Sequence, residues 1–171
     1  YFDYAGTGKL AFGKALPGNT DYFMGNMHDV RLWTTERSLG QIVSNFTTIL
    51  NRNNGGLLYN WKMDEATGLF AKDAIRSRNA DIHGATWEIS PNGNAVEFDG
   101  VDDNIKINAS TVALTKEMDF TLEFWFNSSQ TAAATLFSNG KADGLGADST
   151  IAWNIAKDAA GALHVYHKGI D

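Results

Sequence analysis

Large apolar and polar side chains alternate along residues 120–126, F-T-L-E-F-W-F. Phe120, Leu122, Phe124 and Phe126 fall on one face of an extended chain, and Thr121, Glu123 and Trp125 on the other. A helix would scatter the four large groups around its circumference, so the spacing predicts a half-buried β-strand. Burial is worth roughly 1.5–3 kcal/mol for each such side chain before ordering costs, and a core is expected to form around this strand. Shorter runs of the same rhythm predict strands over residues 1–4, 10–13, 22–33, 57–63, 82–87, 95–98, 105–107, 135–138, 151–156 and 163–166. Within residues 22–33, Val30 and Leu32 oppose Asp29, Arg31 and Trp33, and Gly25 marks a bulge or a close backbone approach. Within residues 57–63, Leu57, Tyr59, Trp61 and Met63 oppose Leu58, Asn60 and Lys62. Pro17-Gly18-Asn19 and Pro91-Asn92-Gly93-Asn94 carry turn chemistry, and residues 139–149, with Gly140, Gly144 and Gly146, are expected to form a mobile loop. Residues 95–98 and 105–107, joined by the acidic turn D-G-V-D-D, are expected to form a hairpin.

One stretch has a helical period instead. Leu39, Ile42, Val43 and Phe46 stand at i, i+3, i+4 and i+7, an apolar stripe expected to pack on the core. Ser38-Leu39-Gly40-Gln41 fits a capping box, in which the serine hydroxyl takes an orphan amide and the glutamine reaches back. Many short strands, one short helix and glycine-bearing turns predict an all-β fold, an antiparallel two-sheet jelly-roll sandwich.

The chain has 171 residues, enough for one domain with a sizeable core. Its net charge of −6 argues against nucleic acid or an anionic membrane as partner and leaves neutral ligands and cations. No run of about 18 apolar residues exists, so membrane insertion is not expected. With no cysteine, disulfide frameworks and cysteine-ligated metals are excluded. The chain opens on Y-F-D-Y, without an initiator Met or a signal peptide, and closes on G-I-D. Both ends read as the middle of a fold, as in a piece of something larger.

Three phrases together resemble one family. G-N-M-H-D-V-R-L-W-T-T-E-R-S-L-G-Q-I (residues 25–42) resembles the closing strand and helix of laminin-G-like jelly-roll domains, of the concanavalin A-like lectin/glucanase superfamily. L-L-Y-N-W-K-M-D-E-A-T-G (57–68) with D-I-H-G-A-T-W (81–87) resembles the opening strands. V-E-F-D-G-V-D-D-N-I-K-I (96–107) with F-T-L-E-F-W-F resembles the core hairpin and central strand. The closing phrase here precedes the opening one. The resemblance therefore implies a repeat junction: residues 1–50 finish one domain, residues 51–56, N-R-N-N-G-G, link, and residues 57–171 begin the next. The alternative is one permuted sandwich over residues 1–171, since such termini lie close together. Separate pieces would carry unpaired edge strands and be poorly soluble or oligomeric.

Asp99, Asp102 and Asp103 with Asn104 are the leading candidates for a cation site, because hard Ca²⁺ takes about six to eight oxygens that a glycine-bearing turn can present together. The plainer reading is that Asp99 caps the turn while Asp102 and Asp103 are solvated. Asp64, Glu65 and Asp73 form a second acidic set, ordinarily surface. Sugar recognition calls for an exposed aromatic face beside amides and carboxylates. Of the five tryptophans, Trp33, Trp61, Trp87, Trp125 and Trp153, Trp61 shares its face with Leu57, Tyr59 and Met63 and reads as core. Trp125, opposite the phenylalanine face, is expected either on a ligand-facing sheet surface or under a loop. Trp125, Trp153 and Tyr166 are the candidate ligand-binding residues, each weighed against an ordinary core role. His28, His83, His164 and His167 lack metal-site spacing and read as structural or surface.

No enzyme is expected. Retaining glycosidases need two carboxylates about 5–5.5 Å apart. Related glucanases carry an E-x-D-x-x-E strand, whereas Glu123 here is followed by Phe124, Trp125 and Phe126. Asn45, Asn108 and Asn127 open N-x-S/T triplets, which matter only in a eukaryotic secretory pathway. Animal laminin-G domains usually carry a cysteine pair that this chain lacks, so the resemblance implies the bacterial surface-protein type. What it implies is a non-catalytic, lectin-like segment of a large secreted or cell-surface protein, binding glycans or mediating adhesion beside neighbouring domains of the same chain, with Ca²⁺ as a candidate cofactor. The alternatives are a structural spacer repeat without a ligand and an accessory module of a polysaccharide-degrading enzyme.

Overall fold

The computed structural model describes residues 8–16, 20–51, 53–89, 93–107, 119–141 and 151–167. The expected strand over residues 1–4, the turn at 17–19, Pro91 and Asn92, most of the 139–149 loop and the triplet at Asn108 lie outside them, as do the side chains of Trp153 and His167. The described residues form two antiparallel sheets and one helix, an all-β sandwich. The strands are β1 (Gly8–Phe12), β2 (Met24–Trp33), β3 (Leu57–Trp61), β4 (Phe70–Ala71), β5 (Ala80–His83), β6 (Thr86–Glu88), β7 (Ala95–Asp99), β8 (Asn104–Ile107), β9 (Thr121–Asn127), β10 (Ala134–Lys141), β11 (Ile151–Lys157) and β12 (Leu163–His167), with α1 (Leu39–Asn45) after β2.

The larger sheet runs β12-β11-β10-β1-β8-β5-β4. In the smaller sheet β2 is the spine. One of its edges pairs β9, from Asn26 opposite Asn127 to Trp33 opposite Thr121. The other edge is shared end to end, β7 lying against residues 24–27 and β3 against residues 30–33. The hand-over falls at Asp29, which has φ +51° and sits in the irregular stretch of the β2–β9 ladder. Gly25 in the same strand has φ +141°, and a side chain there would put its Cβ 2.2 Å from the Asn127 carbonyl, the close approach read from the sequence.

The core lies between the sheets. Phe12 of β1 meets Trp61 of β3 edge-on at 5.7 Å and Phe137 of β10 at 4.9 Å, while Phe23 meets Phe98 of β7 at 5.6 Å. Such rings bury the most apolar area per side chain and gain further from edge-to-face contact. Val30 and Leu32 point into this core; Trp33, on the opposite face, packs with Leu50, Leu57 and Ile75 in a second cluster. Strands from residues 8–33 interleave with strands from residues 57–167 in both sheets: β1 lies between β8 and β10, and β2 between β9 and the β3–β7 edge. Residues 53–56 form the turn that leads into β3.

Four expectations change. The 120–126 strand forms as β9 and turns Phe120, Leu122 and Phe124 toward the core, but among the described residues it pairs only β2 and is an edge strand. Alternation reports which face is apolar and not how many neighbours a strand has. The expected 95–107 hairpin is an arch, with β7 in the smaller sheet and β8 in the larger. Phe98 and Ile105 are both buried, so the two strands belong to opposite walls of the core. Residues 82–87 likewise split at Gly84 into β5 and β6, which belong to different sheets. The capping box forms, Gln41 N donating to Ser38 Oγ at 3.3 Å and Ser38 N to Gln41 Oε1 at 2.9 Å. The helix's apolar stripe, however, is not buried, Leu39 being 76 %, Val43 58 % and Phe46 43 % exposed. Polar ties hold this helix instead, as its carbonyls accept from two arginines.

Candidate functional site

On the outer face of the smaller sheet, Glu123 and Trp125 alternate with the inward Leu122 and Phe124. Trp125 is 42 % exposed and borders a pocket of about 380 Å³. Its ring lies almost parallel to His28 of β2, 7° between planes and 6.1 Å between centroids, and is tilted against Phe46 at 5.7 Å. Its Nε1 donates to the Phe46 carbonyl at 3.2 Å, which fixes the indole plane. Facing this aromatic wall, Asn60, Lys62, Asp64 and Asn94 supply a polar one.

An ion network holds the two walls. Arg31, 4 % exposed, donates through Nε to Asp29 Oδ1 at 3.0 Å and through Nη2 to Asp29 Oδ2 at 2.5 Å. Its remaining donors reach the Asn45 carbonyl at 2.8 Å and the Thr48 carbonyl at 2.9 Å, placing a cation on the C-terminal end of α1. Arg37 lies 3.6 Å over the Trp33 ring, and its Nε stands 2.9 Å from Glu123 Oε1, an ion pair without hydrogen-bond alignment. Asn60 Nδ2 donates to Asp29 Oδ1 at 2.8 Å and approaches the Val30 carbonyl at 3.5 Å. The buried Asn60 Oδ1 has no partner.

Two residues at this pocket hold left-handed backbone without being glycine: Asp29 at φ +51° and Met63 at φ +58°. They are joined, since Asp29 N donates to the Lys62 carbonyl at 2.9 Å. Each costs roughly 1–3 kcal/mol and persists only where the surroundings over-determine it, a cost that concentrates at functional sites. Met63 keeps its side chain wholly buried, while Lys62 and Asp64 on either side border the pocket. Burial pulls the His28 imidazole below its ordinary value; Asp29 opposes this and Arg31 adds to it.

The three aromatic candidates do not share a surface. Tyr166 lies on β12 in the larger sheet, 54 % exposed and stacked on His164 at 5.8 Å. Val165 lines the groove between the sheets, so alternation turns Tyr166 to the outer face, across the sandwich from Trp125. Trp153 lies in β11, also in the larger sheet.

Asp99, Asp102 and Asp103 do come together, one ligand oxygen from each lying within 4.8 Å of the others. Asp103 Oδ2 accepts from Asp99 N at 2.7 Å, and Asp99 Oδ1 from Val101 N at 2.8 Å. Asn104 Nδ2 donates to the Asp102 carbonyl at 2.9 Å, leaving its buried Oδ1 without a partner. Gly84 abuts this carboxylate, and a Cβ there would fall 2.2 Å from Asp103 Oδ1. Burial raises the Asp103 carboxyl above its usual range, and the Asp99 and Asp102 charges add to the rise. The donor set and the mutual repulsion fit a hard divalent cation. This turn and Asn94 lie at opposite ends of β7, about 16 Å apart along the strand.

In the second acidic set, two of the three side chains serve the backbone. Asp73 spends both oxygens on backbone amides: Asn60 N and Ile75 N donate to Oδ1 at 3.0 Å each, Arg76 N and Arg78 N to Oδ2 at 2.7 and 3.1 Å. Glu65 Oε1 likewise accepts from Lys72 N at 2.6 Å. Sequence reasoning did not single out His28, Asn60, Lys62 or Asn94 for the pocket. The shared polar face of Asn60 and Lys62 was the available signal; the left-handed turns that aim the rest have none. No family, curated protein or solved structure matches this chain.

Proposed function

We propose that the chain is a non-catalytic, laminin-G-like glycan-binding module of a secreted or cell-surface protein, and that the Trp125 pocket is its ligand site. The half-exposed Trp125 carries this reading. An indole fixed by its own hydrogen bond and backed by His28 and Phe46 offers a flat apolar shelf to the C–H face of a sugar ring. Amide, ammonium and carboxylate groups across the pocket suit ring hydroxyls. Catalysis is not part of the proposal: Asp29 is held by Arg31 and Asn60, which leaves Asp64 as the uncommitted acid bordering the pocket among the described residues, and glycoside hydrolysis needs two. We assign Ca²⁺ to residues 99–104, where it would brace the arch between β7 and β8 away from the pocket.

Affinity electrophoresis and a glycan array test the reading. The wild-type chain is expected to be retained by at least one glycan class, and Trp125→Ala to lose that retention while still unfolding in one cooperative transition, at a midpoint lowered by the lost ring contacts. Retention by none, or retention indifferent to Trp125→Ala, rejects this site; the first outcome makes the chain a structural spacer.

A further inference from the structure

Of the four charged side chains lining the pocket, Asp29 and Arg31 are paired, and Lys62 and Asp64 have no partner among the described residues. Asp29 and Arg31 neutralise each other through the two-pronged contact. The Asn60 amide has one orientation, because turning it over would set its oxygen against Asp29 Oδ1 and the Val30 carbonyl, acceptor against acceptor. Beneath the pocket Asn60 is therefore an acceptor only. The Lys62 ammonium and the Asp64 carboxylate have no partner among the described residues, and they do not pair with each other. Met63 separates them, in left-handed backbone that its buried side chain and the Asp29–Lys62 hydrogen bond hold in place. Among the described residues, the polar wall thus offers one ammonium donor, Lys62, and one carboxylate acceptor, Asp64, across from an aromatic shelf.

We infer that the pocket takes a neutral pyranose presenting adjacent hydroxyls, one accepting from Lys62 and the next donating to Asp64, with the apolar ring face on Trp125, and that it turns away uronic acids. This rests on the glycan-binding reading above and adds the ligand's charge class. A hydroxyl pair satisfies a donor and an acceptor at once, as each hydroxyl gives and takes. A ring carboxylate could pair with Lys62 only beside Asp64, an arrangement of like charges that costs affinity.

The experiment compares polymers that differ in this group alone. Polygalacturonate, alginate and polyglucuronate are each cast into native gels beside their carboxyl-reduced forms, at a salt concentration that limits long-range repulsion to about 8 Å. At least one reduced polymer is expected to retard the wild-type chain about tenfold more strongly than its parent, the factor that one charged hydrogen bond commands. Lys62→Met removes most of that retardation. Asp64→Asn narrows the gap between the pair, while Asp158→Asn, an equal charge change at an exposed site in the loop between β11 and β12, leaves it unchanged. A parent polyuronate that binds as tightly as its reduced form overturns the inference, and if that binding still needs Trp125, glycan recognition survives. Retardation by no polymer of either kind overturns both.

Discussion

Replacing Asp73 removes one carboxylate and strands up to four backbone amides. The side chain is 7 % exposed and accepts from residues 60, 75, 76 and 78, so it pins the 74–78 turn to β3. Four charged hydrogen bonds at roughly 1.5–3 kcal/mol each would sum to most of a small domain's stability, and that sum is too large. Arg76 and Arg78 are exposed, and their amides can turn to water once released. Asn60 and Ile75 are buried, at 1 % and 6 %, and their amides cannot. Two stranded amides at roughly 1–3 kcal/mol each predict a loss of about 2–6 kcal/mol for Asp73→Ala. Asp73→Asn can place its one acceptor oxygen at the Oδ1 position, where it serves both buried amides, so most of that loss is expected to be spared. Urea unfolding followed by tryptophan fluorescence gives the comparison, read as a shift of midpoint at constant slope. A loss below about 1 kcal/mol for the alanine variant, or an asparagine variant no better than alanine, would refute the reasoning.

Gly25→Ala places a Cβ against the Asn127 carbonyl at a φ of +141° and should cost at least about 2 kcal/mol, with amide exchange accelerated along β9; wild-type protection there would contradict the close approach. Asp103 gives a pH dependence. Its pKa in the folded chain is raised, so the stability it contributes is full below the unfolded value of about 4 and is lost as pH rises through the folded one. Thermal melts of the metal-free chain should follow that course, Asp103→Asn should flatten it, and millimolar Ca²⁺ should restore the midpoint at neutral pH. A midpoint indifferent to Ca²⁺ would remove the cation from residues 99–104.

Alternation and turn chemistry are local, and what depended on them alone was legible. The strands at residues 57–61, 95–99 and 121–127, the Ser38–Gln41 cap and the inward Trp61 are of this kind. Partner choice is not local. Nothing in F-T-L-E-F-W-F distinguishes an edge from a centre, and D-G-V-D-D serves an arch as well as a hairpin, since both want a left-handed Gly100 and aspartates that accept from backbone amides. Trp125 was legible as a candidate because it opposed a phenylalanine face. The surrounding pocket was not, because it depends on left-handed backbone at Asp29, which lines it, and at Met63, between the lining residues Lys62 and Asp64, and their side chains disfavour that conformation.

β1 has a consequence for the order of assembly. It lies inside the larger sheet, yet both of its neighbours, β8 and β10, come roughly a hundred residues or more later in the chain. On the ribosome, Leu10 and Phe12 must wait unpaired until those segments emerge. Closing that seam last would make it the slow step of refolding, and the larger sheet the half most exposed to chaperones in the interval.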